Sequence, residues 1–198
     1  MPRAARKKSK TGIYHIMIQG INQELIFEDD QDNRKFLDIL ADCKQEDRFQ
    51  LYAYCLMGNH AHLLIKEGYE RLGQIFKRVG ATYVQWFNRK YNRTGPLFHD
   101  RFKSEPVEDY QTLFAVIRFI HQNPVKAQLA SSVDTYKRSS FKDYAGRSKL
   151  TNTSFALKKM TRENFIDFNR REDSDSCLDI APAWMRGKDA TEGTVGKA

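Results

Sequence analysis

The sequence predicts an α+β domain built on an antiparallel sheet with helices packed on one face. Segments with strand and helix patterns follow one another in the order β, α, β, β, α, β, α. The two consecutive strands are close enough in sequence to pair as a hairpin. This order of elements is that of a ferredoxin-like domain.

The first strand and helix follow a basic N-terminal arm, residues 1–11. Residues 13–18 (IYHIMI) are rich in β-branched and aromatic side chains, which favours a strand. Residues 29–47 begin with acidic side chains and repeat apolar ones at i, i+3, i+4 and i+7, as an amphipathic helix does. These apolar positions are Phe36, Ile39, Leu40 and Cys43.

A hairpin and a long helix come next. Residues 49–57 (FQLYAYCLM) and 60–65 (HAHLLI) are rich in strand formers and are separated only by Gly58-Asn59, which predicts two antiparallel strands. Residues 70–91 carry one apolar stripe at helical spacing and are basic on the other side. We expect this helix to end near Asn92.

The last elements of the main domain are a strand and a third helix. Residues 101–107 form a candidate strand, which Pro106 limits to an edge or a terminus. Residues 109–122 are in helical register. We expect Asn123-Pro124 to close this helix, because the residue before a proline avoids the α region.

The character of the sequence changes from about residue 150. Residues 160–171 predict one more helix, and residues 172–198 are rich in charged and small side chains, which is typical of a loose tail. We therefore divide the chain into the basic arm, a main domain at residues 12–149 and a C-terminal appendage at residues 150–198.

Composition excludes several classes of protein. The 198 residues are 40% hydrophobic, which is typical of a globular chain, and no apolar run is long enough to span a bilayer. The basic N-terminus lacks the apolar segment of a secretory signal, so we expect a cytoplasmic protein, associated with the bacterial nucleoid. Cys43, Cys55 and Cys177 lack the spacing of a disulfide framework or a thiolate zinc site.

The charge balance favours a polyanionic partner. Lysine and arginine number 33 against 25 acidic residues, a formal charge of +8. An ordinary soluble basic protein would also fit this balance. However, positive charge gathers in the N-terminal arm and between Lys77 and Lys103, where aromatic residues are interleaved. Cations beside exposed rings are what single-stranded nucleic acid binding uses.

The strongest chemical signal is His60-Ala61-His62 at the start of a strand. Alternation along a strand places residues i and i+2 on the same face, so the two imidazoles lie side by side. Such a pair can bind a divalent cation if a third ligand is added, although a merely polar strand end is the alternative. Asn123, at the end of the third helix, offers the carbonyl oxygen that Mg²⁺ or Mn²⁺ prefers.

Three segments together resemble the single-tyrosine HUH transposases of the insertion sequence 200/605 type and their relatives linked to repetitive extragenic palindromes. The segments are the hairpin with its histidine pair, residues 95–107 (GPLFHDRFKSEPV) and residues 118–127 (RFIHQNPVKA), and the resemblance covers residues 12–145. It implies a ferredoxin-like HUH fold in which the two histidines bind Mg²⁺ or Mn²⁺. It also implies a helix tyrosine that attacks single-stranded DNA near a hairpin and forms a 5′-phosphotyrosine.

Carried over residue by residue, the resemblance assigns His60, His62 and Asn123 to the metal and position 119 to the nucleophile. Position 119 is phenylalanine, where relatives typically have tyrosine. Phenylalanine has the ring without the hydroxyl, so it cannot form the phosphotyrosine. We therefore expect impaired cleavage.

Three explanations of Phe119 compete: a deliberate substitution that traps an uncleaved DNA complex, natural inactivation or repurposing, and a substitute nucleophile. Tyr110 is a poor substitute, because nine helical residues place it opposite position 119. Tyr83 and Tyr91 lie on another helix, where their patterns favour a core residue and a helix-end aromatic.

Further residues are candidates for contact with DNA phosphates, although charged helix faces are often only solvated. The candidates are Arg78, Arg89, Lys90, Arg93, Arg101 and Lys103. His121 and Gln122 adjoin the metal end of the third helix and could contact DNA or support the metal ligands. His15 and His99 receive no role.

The sequence thus predicts a transposase that binds single-stranded DNA with hairpin or palindromic ends, as a monomer or a homodimer. A domesticated protein that binds a DNA or RNA hairpin without cutting it is the main alternative. An unrelated metallohydrolase is disfavoured, because neither the histidine strand nor the end of the third helix carries a carboxylate.

Overall fold

The computed structural model describes residues 6–146 and 150–172. The strands are β1 (Ile13–Gln19), β2 (Gln50–Leu56), β3 (His60–Lys66) and β4 (Lys103–Val107). The helices are α1 (Asp30–Asp47), α2 (Leu72–Lys90), α3 (Tyr110–Lys126), α4 (Phe141–Ala145), α5 (Ser154–Leu157) and α6 (Arg162–Arg170). Within the described ranges, no helix has both the length and the apolar character that crossing a membrane requires.

The four strands form one antiparallel sheet in the order β2-β3-β1-β4. The predicted α+β class and ferredoxin-like order are therefore confirmed. Pro106 lies on β4, an edge strand, where a missing N–H interrupts no inner ladder. Met17 on β1 lies opposite His62 on β3 and opposite Lys103 on β4, so the three residues form one row across the sheet.

The helices cover both faces of the sheet, and the expectation of helices on one face is wrong. One core joins α1 and α2 to Tyr14, Ile16 and Ile18 of β1. The second core joins α3 to Ile13 of β1, together with Leu64 of β3. The physical reason is that nearly every residue of β1, β2 and β3 is buried, so each face of these strands needs a cover.

The third helix continues past the point where Pro124 was expected to close it. α3 ends at Lys126, and the Ala127 N–H donates to the Asn123 carbonyl at 2.9 Å. Pro124 removes one donor from the helix, but it lies in the last turn, where a single missing bond is tolerated. Asn123 is therefore inside the helix, one turn after Phe119 and on the same side.

The C-terminal helices α4 and α6 contribute side chains to the core between α3 and the sheet. Tyr144 of α4 stacks on Phe165 of α6 with ring centroids 4.1 Å apart, and both rings belong to the α3 core. α6 is shorter than the predicted helix at residues 160–171. The division of the chain at residue 150 stays a prediction. The expected loose tail beyond residue 172, Cys177 and the first five residues of the basic arm lie outside the described residues.

The start of α1 is held by a buried carboxylate. Asp32 is fully buried and accepts hydrogen bonds from the Glu28 and Asp29 N–H groups at 2.6 and 3.0 Å. Lys90 Nζ at 2.7 Å and the Tyr91 hydroxyl at 2.8 Å donate to the same carboxylate. This group ties the N-terminus of α1 to the C-terminus of α2.

We expect Asp32→Ala to lower the free energy of unfolding by about 3 kcal/mol, because it leaves several buried donors without an acceptor. Chemical denaturation followed by circular dichroism measures this loss. Asp30→Ala is the matched control, since Asp30 is exposed and pairs with Arg138 on the surface at 3.2 Å. Its effect should stay below about 1 kcal/mol. Equal effects of the two variants would contradict the role assigned to Asp32.

Candidate active site

The histidine pair lies buried at the start of β3, on the face that α3 covers. The rings of His60 and His62 are perpendicular, with centroids 5.1 Å apart, and both side chains are almost fully buried. His60 Nδ1–H donates to Asn59 Oδ1 at 2.7 Å. This bond fixes the His60 tautomer and leaves the lone pair on Nε2.

A third histidine, His15 of β1, belongs to the same cluster. Its Nε2 shares a 2.9 Å hydrogen bond with His62 Nδ1, and the two rings stack with centroids 5.1 Å apart. Sequence reasoning gave His15 no role. The alternation of side chains along β1 was a signal for this role. It places His15 on the same strand face as Met17, which pairs with His62.

Burial keeps the three imidazoles neutral near pH 7. It lowers the pKa of His15 to about 3 and that of His60 to about 4, although the Asn123 side chain raises the pKa of His60 in part. The pKa of His62 falls well below its ordinary value, through burial first and then through His15 and His60. A neutral imidazole is the form that binds a metal ion.

Asn123 of α3 completes the cluster from the opposite side. Its side chain is buried beside His60, and neither Asn123 Oδ1 nor His62 Nε2 makes a hydrogen bond to a described residue. Among residues 6–146 and 150–172, no three His, Cys, Asp or Glu side chains are arranged to hold a metal ion. A cation here would therefore need the amide oxygen as well as the imidazoles.

Position 119 faces the histidines. The Phe119 ring lies edge-on to His62 and His15, with centroids 5.6 and 5.8 Å away. It is 7% exposed, and Lys126 Nζ lies 5.5 Å from its centroid. The ring thus contacts the imidazole cluster and has a cation near it, but it carries no hydroxyl to react.

The tyrosines considered as substitutes point elsewhere. Tyr110 is half-exposed and stacks on Phe155. The Tyr83 hydroxyl donates to the Ile26 carbonyl at 2.6 Å, and the Tyr91 hydroxyl donates to Asp32. All three are therefore engaged away from the histidine cluster.

Comparison with known proteins decides the family. A model described as "Transposase IS200 like" matches residues 8–123, a span that contains the histidine cluster, Phe119 and Asn123. The chain belongs to the IS200-like transposase family. This confirms the resemblance drawn from the three sequence segments. No curated protein sequence matches this chain.

One solved structure shares the fold of this IS200-like transposase. A REP-associated tyrosine transposase bound to a REP hairpin superposes with a TM-score of 0.62 at 17% identity, covering 74% of this chain and 87% of that one. A candidate transposase from Deinococcus radiodurans gives a TM-score of 0.42 at 16% identity, covering 64% of this chain and 98% of that one. The first similarity establishes a shared fold.

The predicted phosphate contacts fall into two groups. Three cations are held by carboxylates: Lys90 by Asp29 and Asp32, Arg93 by Glu24, and Arg78 by Glu70. The other three are exposed: Arg89 on α2, Arg101 before β4 and Lys103 on β4. Lys103 shares the strand row that contains His62, so it borders the cluster at the sheet edge.

His121 and Gln122 are buried on the side of α3 that faces the C-terminal helices. His121 Nδ1–H donates to Asn169 Oδ1 at 2.7 Å, and its Nε2 accepts from the Ser140 hydroxyl at 2.8 Å. Gln122 Nε2 donates to the carbonyls of Asn169 and Arg171. These side chains anchor α6 and offer no open surface to DNA.

Proposed function

We propose that this transposase binds single-stranded DNA at a hairpin and presents a phosphate to a metal-assisted site that lacks its nucleophile. The observation that carries the proposal is the position of Phe119. Its ring contacts His62 of β3, and it lies on the same face of α3 as Asn123. The related structure bound to a hairpin supports the choice of partner.

The residues present fit a divalent cation. His60 and His62 would hold it through Nε2, and Asn123 through Oδ1. His62 Nε2 and Asn123 Oδ1 are buried atoms without a hydrogen bond to a described residue. With Nε2 of His62 bound, its Nδ1–H must donate to His15 Nε2, so His15 fixes the orientation of the ring. Mg²⁺ or Mn²⁺ bound here supplies charge that neutralises a phosphate oxygen.

A tyrosine at position 119 would supply the missing atom. Its phenolic oxygen would attack the phosphorus in line, lose its proton and form a 5′-phosphotyrosine, while the 3′ oxygen leaves as a free hydroxyl. The phosphotyrosine conserves the bond energy, so the strand can be rejoined without ATP. The Phe119 ring fills the same place and excludes water from it. However, it has no oxygen that could form a bond to phosphorus.

Two functions share this geometry. The burial of His60, His62 and Asn123 supports an enzyme disabled at one atom. A domesticated protein that only binds hairpins is favoured by Phe119 itself. Both require a basic path for DNA that leads to the histidine cluster, and Lys103 lies at the sheet edge beside it.

We expect Lys103→Ala to weaken binding of a hairpin with single-stranded flanks and to reduce the slope of log affinity against log salt by about 0.7, the value for one lost phosphate contact. Fluorescence anisotropy at several salt concentrations measures both quantities. Arg78→Ala is the comparison, because Glu70 already neutralises Arg78 at 2.5 Å and its removal should change the slope less. A salt-insensitive affinity of the parent chain would overturn the proposed DNA path.

A further inference from the structure

The side of α3 that faces away from the histidine cluster carries a buried polar network. His121, Ser140 and Asn169 form it, and all three side chains are buried. His121 lies two positions after Phe119 and two before Asn123, and two residues turn a helix by about 200°. α3 therefore presents position 119 and Asn123 to the histidines on one side, and His121 to the C-terminal helices on the other.

The hydrogen bonds of this network give the His121 ring a single orientation. Asn169 Nδ2 donates to the Phe165 carbonyl of its own helix at 2.8 Å, so Asn169 Oδ1 is directed at His121. His121 Nδ1–H donates to that oxygen at 2.7 Å, and His121 Nε2 accepts from the Ser140 hydroxyl at 2.8 Å. Any other ring orientation would break at least one buried bond, which is costly in the protein interior.

The same network joins α3 to the sheet as well as to α6. The Ser140 N–H donates to the Tyr54 carbonyl of β2, and the Tyr54 N–H donates to Ser140 Oγ, both at 2.9 Å. The next residue of α3, Gln122, donates through Nε2 to the Asn169 carbonyl at 2.5 Å. Through His121 and Gln122, α3 is thus connected to β2 on one side and to α6 on the other.

The end of α3 has a particular need for such bonds. Pro124 has no N–H, so the Ile120 carbonyl loses the partner that an α-helix would give it. Asn123 lies in this weakened turn. Apolar contacts with the sheet are non-directional and permit small rotations of the helix, whereas each hydrogen bond requires a defined angle.

A small rotation of α3 would displace the reactive side chains by a chemically important distance. Side chains reach about 5 to 6 Å from the helix axis, so a rotation of about 10° moves their ends by about 1 Å. A displacement of that size can reduce catalysis about a hundredfold. The contacts of position 119 with His62 and of Asn123 with His60 therefore depend on how the far side of α3 is held.

We infer that His121 and Asn169 are positioning residues of the histidine site. Together they set the rotation of α3 and so hold position 119 and Asn123 against the histidines. The inference rests on the proposed function for the metal ion and for the role of position 119. It makes the C-terminal segment part of the reaction machinery, although α6 acts from the far side of α3.

The first test needs no metal. The Phe119 ring lies edge-on to His62 and His15, so its ring current shifts the NMR resonances of both imidazoles. In a chain labelled with ¹³C at histidine, Phe119→Leu identifies the resonances that depend on this ring. We expect Asn169→Leu, which removes the amide and keeps a side chain of similar volume, to move the same resonances toward their positions in Phe119→Leu.

The second test measures Mn²⁺ affinity by electron paramagnetic resonance without DNA. We expect His121→Leu and Asn169→Leu each to lose about tenfold, the lower end of what residues that support metal ligands contribute. The double variant should lose no more than either single one, because the two side chains act through one hydrogen bond. Leu40→Ala is the stability control. It leaves a cavity in the α1–α2 core on the other face of the sheet, lowers the melting temperature and should keep the parent affinity.

The outcomes decide separate claims. A folded Asn169→Leu chain whose imidazole resonances stay at their parent positions overturns the inference. Should that chain not fold, Ser140→Ala removes the other bond of His121 and is expected to shift the same resonances. An equal loss of Mn²⁺ affinity in Leu40→Ala also overturns the inference, because the loss would then follow stability alone. If the parent chain does not bind Mn²⁺, the proposed metal site is wrong, and the imidazole resonances alone decide whether the network positions α3.

Discussion

Phe119→Tyr is expected to convert a chain that binds hairpin DNA without cutting it into one that forms a covalent protein–DNA adduct. The substitution adds one oxygen to a ring that already lies 5.6 Å, between centroids, from His62. Removal of a covalent nucleophile costs at least about a thousandfold in rate, so the gain should be of that order or larger. A denaturing gel of labelled DNA, with Mg²⁺ or Mn²⁺ present, measures the adduct.

The design of this experiment decides between the two proposed functions. The parent chain and a Phe119→Tyr, His62→Ala double variant serve as controls, and neither should form an adduct. An adduct with Phe119→Tyr alone supports an enzyme disabled at one atom. Hairpin binding without cleavage by either the parent or the tyrosine variant supports a binding protein. An adduct formed by the parent chain would contradict the proposal and point to another tyrosine.

The fold could be predicted because periodicity reports burial. Alternating and helical apolar patterns located the four strands and helices α1, α2 and α3 to within a few residues, although the short helix α4 was not predicted. Pro106 correctly placed β4 at an edge. The two-sided cover of the sheet was also present in the sequence. The segment FQLYAYCLM is apolar at every position except Gln50, which is the mark of a strand buried on both faces.

The parts of the site that were not predicted depend on contacts distant in sequence. Spacing alone does not show that His15 bonds to His62, because the pairing of β1 with β3 must be known first. The pairing of Lys90 with Asp32 joins two helices and neutralises a cation that the sequence offered as a phosphate contact. The helical pattern gave both residues correct positions and no information about their partners.

Asn123→Ala and His62→Ala are each expected to weaken Mn²⁺ binding by at least tenfold. Even residues that only support metal ligands contribute about 10- to 100-fold to affinity, so loss of a direct ligand should do no less. Titration of Mn²⁺ followed by electron paramagnetic resonance measures the free ion without any DNA. His99→Ala is the matched control, because the His99 side chain is exposed, unlike the buried histidines of the cluster.

Asn123→Asp distinguishes a ligand from a packing residue. A carboxylate keeps an oxygen at the same place and adds charge that favours a divalent cation, so affinity should be retained or increased. In the absence of metal, the same substitution buries a charge next to His60 and should lower the melting temperature. Rising stability on addition of Mn²⁺ would then report binding at this residue. Unchanged Mn²⁺ affinity in both Asn123 variants would instead mean that α3 does not contribute to the metal site.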